Sequence, residues 1–316
     1  MAVTPTVEPG TTGPAPSGGE AQQQVGGGLT IQILRVFAEN RLAVVGVAII
    51  VFMIFFCFLG PLFYHTNQTN AQLALTTQPQ NAPPNSSLCP TGCPLGTDNT
   101  GFDMLGRIMY GGQISLIVGF AAAGIATVLG VLVGAISGFF VGWVDSFMMR
   151  IVDVLLSVPI LYLLIVLAVI FHPSVEILIL VIGFTAWLVP ARLVRGETLS
   201  LRVREFVQAV RVMGGGSSRI VVRHIIPNTI GTIIVNATFQ VADAILLLAA
   251  LGFIGLGVPA PQTDWGSMIA VGTNYADSGD WWEIYPTGLA IVLVVVAFNF
   301  VGDALRDAFE VRLQRR

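Results

Sequence analysis

The side chains that could carry out chemistry are few, because the chain has only three cysteines and three histidines in 316 residues. Cys89 and Cys93 lie in a polar segment rich in proline and glycine, which the topology below places outside the cytoplasm, where disulfides persist. Two cysteines with no nearby histidine make a poor metal site. We therefore expect a small disulfide between Cys89 and Cys93, with unpaired thiols as the alternative. We expect Cys57, in an apolar run, to be a buried thiol, and we predict no metal site.

Sequence motifs of enzyme chemistry are missing from the chain. It contains no lysine, so it has no Gly-x-x-x-x-Gly-Lys-Ser/Thr loop with which to hold and hydrolyse ATP. It also lacks the Gly-x-Ser-x-Gly sequence of serine hydrolases and the His-Glu-x-x-His sequence of zinc proteases. We therefore predict that the chain is not an enzyme and binds no cofactor of its own.

One acidic residue, Asp243, interrupts an apolar segment that is long enough to cross a membrane. A charged side chain inside a membrane is costly and marks a functional site by default. We predict that Asp243, with Gln240 and Asn236 in the same segment, lines a water-filled translocation path. A hydrogen bond to a partner subunit is the alternative role for Asp243.

An arginine-rich stretch, residues 199–228, separates two apolar segments. Apolar residues recur at helical spacing in its first half: Leu199, Val203, Phe206, Val207, Val210 and Met213. The three glycines at 214–216 should end this helix, because glycine adopts the left-handed conformation of helix ends without steric penalty. Ser217 or Ser218 should then cap a second short helix that finishes near Pro227. The stretch is predicted to present two short helices and a glycine corner beside the bilayer.

Composition predicts an all-α membrane protein. Hydrophobic residues make up 54% of the chain and charged residues only 10%, whereas soluble domains carry about 25% charged residues. Six apolar segments are long enough to span a bilayer: 42–63, 114–141, 146–171, 175–192, 229–257 and 284–305. The second segment is rich in glycine, which favours close helix packing in lipid. Pro159 should kink the third segment.

The remaining segments complete the predicted organisation. Residues 1–28 form a disordered head, because their polar composition cannot bury enough apolar surface. Residues 29–41 form a short amphipathic helix that leads into the first span. Residues 64–112 form a loop outside the cytoplasm, which ends in an amphipathic helix at the membrane interface. That helix carries Phe102, Leu105, Ile108 and Met109. Residues 113–316 form a five-helix core.

The distribution of arginine sets the predicted orientation. Placing the amino terminus inside puts 14 of the 15 basic residues on the inner side and leaves only Arg107 outside. Positively charged loops face the cytoplasm, so both termini and residues 199–228 are predicted to be cytoplasmic. Near the inner membrane surface, Asp153 and Asp303 are expected to pair with the arginines close to them in sequence, Arg150 and Arg306.

The arginine-rich stretch resembles the coupling loop of ABC-importer permeases, which reads Glu-Ala-Ala, three residues, Gly, nine residues, Ile-x-Leu-Pro. The corresponding positions in this chain are Gln208, Ala209, Val210, Gly214, His224, Ile226 and Pro227. Ala209, Gly214 and Pro227 match the consensus, whereas Gln208 replaces its acidic residue. Five further stretches resemble the dipeptide, oligopeptide and nickel branch of these permeases, above all its second permease subunit. They are residues 40–46, 95–107, 142–153, 253–266 and 298–307.

The resemblance implies a six-helix, type I ABC-importer permease fold with cytoplasmic coupling helices. It implies that Gln208, Ala209, Val210 and Gly214 lie in the cleft of a cytosolic ATPase, with Arg211 and Arg219 as flanking contacts. The coupling set also includes Glu205, His224 and Pro227, and His224 has a packing role. An alternative function for the two arginines is to anchor the helix to anionic lipid headgroups.

The resemblance also implies partners and a function. The partners are a second homologous permease subunit, two ATPase subunits that bind ATP and Mg, an extracytoplasmic substrate-binding protein and membrane lipid, but no nucleic acid. The complex would import di- or oligopeptides across a bacterial plasma membrane by alternating access. Nickel or glutathione is the alternative cargo. A secondary transporter driven by an ion gradient is a further alternative, for which internal repeats and broken helices with buried charges are expected.

Overall fold

The computed structural model describes residues 37–68, 70–89 and 92–314. The predicted head at 1–28 and most of the approach helix at 29–41 lie outside the described residues. Residues 37–39 are helical, and Asn40 caps the first long helix. The Asn40 side-chain oxygen accepts hydrogen bonds from the backbone N–H groups of Leu42 (3.0 Å) and Ala43 (3.3 Å), as expected of an asparagine at a helix start.

The described residues from Arg41 onward form eleven helices, two short 3-10 turns (Ala276–Ser278 and Trp281–Glu283) and no named strand. Six of them are the first half of the chain: α1 (Arg41–Phe63), α2 (Ala71–Thr77), α3 (Met104–Phe140), α4 (Trp143–Leu156), α5 (Ile160–Phe171) and α6 (Val175–Leu201). The others are α7 (Glu205–Val212), α8 (Ser217–Ile220, Val221–Ile225 and Ile226–Asn228), α9 (Ile230–Phe253), α10 (Trp265–Thr273) and α11 (Tyr285–Gln314). The all-α prediction is therefore confirmed.

Five of the helices are long and apolar enough to cross a membrane: α1, α3, α6, α9 and α11 with the turn before it. The predicted third span consists of α4 and α5, which meet at an angle of 85°. Pro159 lies at this break, where it cannot donate a backbone hydrogen bond and disfavours helical conformation in Val158. The kink predicted at Pro159 is thus a near-perpendicular break, and the number of spans is six only if this pair counts as one.

The prediction of a separate interfacial helix near residue 102 is wrong. Helix α3 begins at Met104, with Asp103 as its N-cap, and continues through the predicted second span to Phe140. Phe102, Ile108 and Met109 are buried, with at most 5% of their surface exposed. The apolar spacing correctly indicated one face of a helix. It could not show whether that face packs against protein or lipid, because both kinds of face have the same spacing.

Glycines of α3 allow this helix to lie at the centre of the fold. A Cβ atom at Gly134 would lie 2.5 Å from the carbonyl oxygen of Ala191 in α6. A Cβ at Gly119 would lie 2.6 Å from Ile245 in α9. Such distances leave no room for a side chain, so the backbones of neighbouring helices approach closely, as the glycine content predicted. On the far side of α9, helix α11 packs against α1.

The two ends of the helical bundle differ in character. The long-loop end comprises residues 64–103 and 254–284, which pack on one another. The indole N–H of Trp282 donates to the carbonyl of Thr97 (3.2 Å), and that of Trp265 donates to the carbonyl of Ile108 (3.0 Å). A disulfide joins Cys89 and Cys93 in this end, with Cα atoms 6.0 Å apart, while Cys57 is a free buried thiol in α1. The opposite, arginine-rich end comprises residues 202–229 and the α3–α4 turn.

Candidate coupling surface and translocation path

The helix predicted to run from Leu199 to Met213 is interrupted. Helix α6 extends to Leu201, the next three residues form a turn, and α7 begins at Glu205. Arg204 precedes α7 in an extended conformation (φ −68°, ψ 148°). Glu205 then occupies the first turn, where a carboxylate interacts favourably with the positive end of the helix dipole. The apolar spacing could not reveal the turn, because it takes up only a few residues.

The glycine corner after α7 is confirmed. Gly214 has a φ of +83°, the left-handed conformation. The N–H of Gly215 donates to the carbonyl of Val210 (2.9 Å), and the N–H of Gly214 donates to that of Arg211 (3.0 Å). This pair of bonds is the Schellman arrangement, which satisfies carbonyl groups that the helix end leaves free. The corner therefore has a fixed geometry.

The serine cap predicted for the second short helix is wrong. Gly216 occupies the N-cap position and Ser217 is already the first helical residue, without a side-chain capping bond. Helix α8 ends at Asn228, so the predicted end near Pro227 is confirmed. A π-helical turn at Val221–Ile225, in which each hydrogen bond spans five residues, comes shortly before Pro227, which has no N–H to donate.

Helix α7 is anchored to the bundle by Val207, which is fully buried, and by the half-buried Val210. Val207 belongs to a hydrophobic cluster with residues from four other helices at the arginine-rich end: Ala135, Phe139, Val194, Ile220, Val221, Ile225 and Ile233. The cluster includes α3, α6, α8 and α9. A displacement of α7 would therefore act on all four helices at once.

The other apolar residues of this segment are exposed to different degrees. Val210 is half-buried, while Val203, Phe206 and Met213 are exposed. Val212 and Met213 have 87% and 77% of their surface exposed. Large apolar side chains that project together from a short helix mark an interaction surface. The helical spacing included Met213 among the apolar residues and did not single out Val212.

The structure brings most of the predicted coupling residues to one exposed surface at the arginine-rich end. The exposed members are Glu205, Gln208, Ala209, Arg211, Gly214, Arg219 and Pro227, while Val210 and His224 are half-buried. The Gln208 amide donates to the carbonyl of Arg202 (3.3 Å), across the turn before α7. The Arg211 guanidinium lies 5.7 Å from the centre of the Phe139 ring. We call the exposed residues of α7 and the glycine corner the coupling surface.

Two ion pairs connect the broken third span to α6 beside this surface. Arg195 binds Asp145 through two hydrogen bonds, of 2.5 Å and 2.6 Å. Asp153 pairs with Arg192, so its predicted pairing with Arg150 is wrong. Arg150 is on the same helix as Asp153, but the partner that reaches the carboxylate comes from α6. These pairs hold α4 against α6 despite the 85° angle between α4 and α5.

The three residues predicted to line a translocation path occupy positions 236, 240 and 243 of α9, four and then three residues apart on one face. Asp243 is exposed on the surface of this chain, and Asn236 is half-buried. Gln240 differs, since it is buried and its amide donates to the carbonyl of Ala186 in α6 (2.7 Å). A role in lining the path stays a prediction for Asp243 and Asn236, while Gln240 serves a bond between helices.

The bond made by Gln240 has a clear physical reason. In a continuous helix the carbonyl of Ala186 would accept a hydrogen bond from the N–H of residue 190. Residue 190 is proline, which has no N–H, and α6 is interrupted at Trp187. Gln240 supplies the missing donor from α9. Sequence reasoning missed this pairing because the two residues are 54 positions apart.

A cavity at the arginine-rich end contains residues that the sequence analysis did not single out. It has a volume of about 710 Å³ and is lined by Glu197, Ser200, Arg204, Phe206, Asn228 and Phe309, among others. The Thr232 hydroxyl donates to Glu197 (3.0 Å), which links α9 to α6. Across the described ranges, no group of three His, Cys, Asp or Glu side chains is placed to hold a metal ion.

Comparison with known proteins identifies the class of this arrangement. Residues 127–315 match the family described as binding-protein-dependent transport system inner membrane component. The chain belongs to this family, and it is a permease subunit of an ABC importer and a multi-pass membrane protein. A solved structure titled as inward-facing conformations of the MetNI methionine ABC transporter shares the type I fold. Its TM-score is 0.53 at 20% sequence identity, over 65% of this chain and 97% of that one.

The particular relatives are peptide permeases. Residues 28–84 match the N-terminal transmembrane domain of oligopeptide transport permease C. The chain is 39% identical to the oligopeptide transport system permease protein OppC of Escherichia coli, over 87% of this chain and 89% of that one. It is 38% identical to OppC of Bacillus subtilis, over 88% of each chain. It is 37% identical to the dipeptide transport system permease protein DppC of Alkalihalophilus pseudofirmus, over 87% of this chain and 88% of that one.

Proposed function

We propose that this chain is one of two permease subunits of an ATP-driven importer that takes up di- or oligopeptides. The observation that carries the proposal is the coupling surface. It exposes Val212 and Met213 to solvent while Val207 anchors the same helix in the bundle. A chain without a phosphate-binding loop needs such a contact in order to receive energy from an ATPase.

The orientation follows from the charge distribution. The end that carries Arg202, Arg204, Arg211 and Arg219 faces the cytoplasm by the positive-inside rule, and both termini lie on that side. One of two ATPase subunits docks on the coupling surface, and ATP and Mg are bound by those subunits. The long-loop end then faces outward, towards a substrate-binding protein, and the membrane is the bacterial plasma membrane.

The proposed mechanism is alternating access. Closure of the ATPase subunits displaces α7, and the Val207 cluster transmits the displacement to α3, α6, α8 and α9. A second, homologous permease subunit covers the exposed Asp243 face of α9, so that Asp243 and Asn236 line a path between the two subunits. The cargo is proposed to be peptides, because the named relatives are oligopeptide and dipeptide permeases.

The first experiment is purification of the tagged chain from its native membrane in mild detergent, followed by mass spectrometry. We expect a second permease, ATPase subunits and a binding protein to co-purify. The complex is then placed in vesicles and tested for uptake of labelled dipeptides and of nickel. Uptake should require ATP, be inhibited by vanadate and be unaffected by an ion-gradient uncoupler. Recovery of the chain without an ATPase, together with uptake that collapses with the uncoupler, would refute the proposal.

A further inference from the structure

A small pocket opens at the long-loop end, between the segment that precedes α3 and the segment that precedes α10. It has a volume of about 280 Å³, and its lining includes Asp98, Thr100, Arg107, Gln262, Ser267 and Glu283. Sites for drug-sized molecules are usually about 300–1,000 Å³. The pocket is therefore the right size for a single long side chain rather than for a peptide.

Glu283 is the unusual residue of this pocket. Only 1% of its surface is exposed, and its Oε1 has no hydrogen-bond partner among the described residues. The fold makes room for it, since a Cβ at Gly272 in α10 would lie 3.0 Å from the Cβ of Glu283. A buried carboxylate oxygen without a hydrogen bond is destabilising. Its retention in a lined pocket points to a ligand that supplies the missing donor.

The charged neighbours of Glu283 do not neutralise it. Asp98 uses one oxygen to accept hydrogen bonds from the N–H of Thr100 (2.8 Å), the hydroxyl of Thr100 (2.7 Å) and the N–H of Phe102 (2.9 Å). Its other oxygen lies 3.6 Å from Nε of Arg107. Asp98 is therefore itself a paired acid and offers no donor to Glu283.

Arg107, the positive group in the lining, is held by other partners. Its Nη1 donates to the carbonyl of Pro261 (2.9 Å), and its guanidinium carbon lies 4.4 Å from the centre of the Phe102 ring. Arg107 therefore balances Asp98 and holds the loop at Pro261, and it forms no ion pair with Glu283. Among the described residues, Glu283 is thus left without a partner of opposite charge. The group that fits is a cation with several N–H donors, a guanidinium or an ammonium.

We propose that this pocket receives an arginine or lysine side chain of the substrate-binding protein, which Glu283 binds when that protein docks on the long-loop end. The inference rests on the proposed function, which places this end outside the cytoplasm, and on the dependence of the family on a binding protein. Single arginine side chains that fill desolvated pockets are common anchors of protein interfaces.

The test measures binding of the co-purified binding protein to the assembled importer in lipid nanodiscs, at several salt concentrations. Glu283→Gln should raise Kd about tenfold or more, roughly 1.4 kcal/mol, and should flatten the dependence of Kd on salt. Asp277→Asn is the matched control, because Asp277 is an exposed acid in the same loop and does not line the pocket. It should leave Kd within about twofold.

A second pair of variants tests the pocket even if Glu283→Gln fails to fold. Gln262 is an exposed residue of the pocket lining, so substitutions there should not disturb the core. Gln262→Arg should weaken binding by placing a competing cation at the pocket, whereas Gln262→Glu should preserve or strengthen it. If Asp277→Asn weakens binding as much as Glu283→Gln, a general negative field and not the pocket is responsible, and the inference is rejected.

The remaining outcomes separate this inference from the proposed function. If the unmodified importer binds its binding protein but neither Glu283→Gln nor Gln262→Arg changes Kd, the pocket has no such role and the importer assignment stands. If the unmodified importer binds no binding protein at any salt concentration, the proposed function and the pocket are rejected together.

Discussion

Replacing Gln240 by leucine tests whether the Gln240–Ala186 bond holds the interrupted helix α6 in place. Leucine keeps a similar side-chain volume but cannot donate to the carbonyl of Ala186, which Pro190 already deprives of its helical donor. The variant therefore leaves a partly buried carbonyl without the 2.7 Å bond that satisfies it. We expect the variant chain to be less stable.

Two sets of measurements bound the expected loss in the free energy of unfolding. Removing one partner of a buried hydrogen bond costs about 1–3 kcal/mol in proteins. Hydrogen bonds between membrane helices are weaker on average, about 0.6 kcal/mol with a maximum near 1.7 kcal/mol. We therefore expect Gln240→Leu to lower the free energy of unfolding by about 1–1.5 kcal/mol. Pro190→Ala restores an N–H at position 190, so in that background the same change should cost less than about 0.5 kcal/mol.

Unfolding of the purified chain can be followed with a thiol-reactive fluorophore, because Cys57 is buried and is the free cysteine, the other two being bonded. A loss of 1 kcal/mol should lower the thermal midpoint by about 2–4 °C. Asn236→Leu, one turn earlier on α9, is the control and should leave the midpoint nearly unchanged. Equal losses from Gln240→Leu with and without Pro190→Ala would refute the account, because the two positions would then act independently.

Three further predictions concern other parts of the chain. Gly214→Val should lower the ATPase activity of the assembled complex, because a left-handed φ of +83° costs a branched residue about 1–2 kcal/mol. Gly214→Asn should be milder, and so should Gly216→Val, because Gly216 has a φ of −65°. Equal losses of activity in the three variants would contradict this reasoning. Val207→Ala should destabilise the isolated chain by about 1–3 kcal/mol in a denaturation assay, whereas Val212→Ala should not and should instead weaken ATPase binding. Burial raises the pKa of Asp103 to about 6, so the folded chain holds more protons than the unfolded chain between about pH 4 and 6. As the pH rises over that interval, stability should fall by at most about 2–3 kcal/mol and then level off. Asp103→Asn, which keeps the helix cap, should remove this dependence in denaturation curves from pH 4 to 8.

Local physical chemistry was readable from the sequence. The glycine corner was predicted because the preference of glycine for positive φ does not depend on the rest of the fold. The helical segments were predicted because a membrane requires long apolar runs whose backbone groups bond to one another. The break at Pro159 was placed correctly, but its size was not, because the angle depends on what packs on either side.

Contacts between distant segments were not readable from the sequence. Nothing in the pattern around Gln240 shows that it faces a carbonyl freed by Pro190, and nothing around Asp153 selects Arg192 over Arg150. The burial of Phe102 and Ile108 depends on how the loop around Trp265 and Trp282 covers the start of α3. Each of these features requires the relative placement of helices, which periodicity within one helix does not contain.

Helix α3 runs without a break from the long-loop end of the molecule to the arginine-rich end. With 37 residues at 1.5 Å each it is about 55 Å long, well beyond the roughly 30 Å of a hydrocarbon core. It carries Arg107 of the pocket near one end and Phe139, beneath the coupling surface, near the other. Its glycines hold it against α6 without room to slip. A tilt of about 5° around its midpoint would swing each end by about 2.4 Å in opposite directions, so α3 has the geometry of a lever pivoted in the membrane.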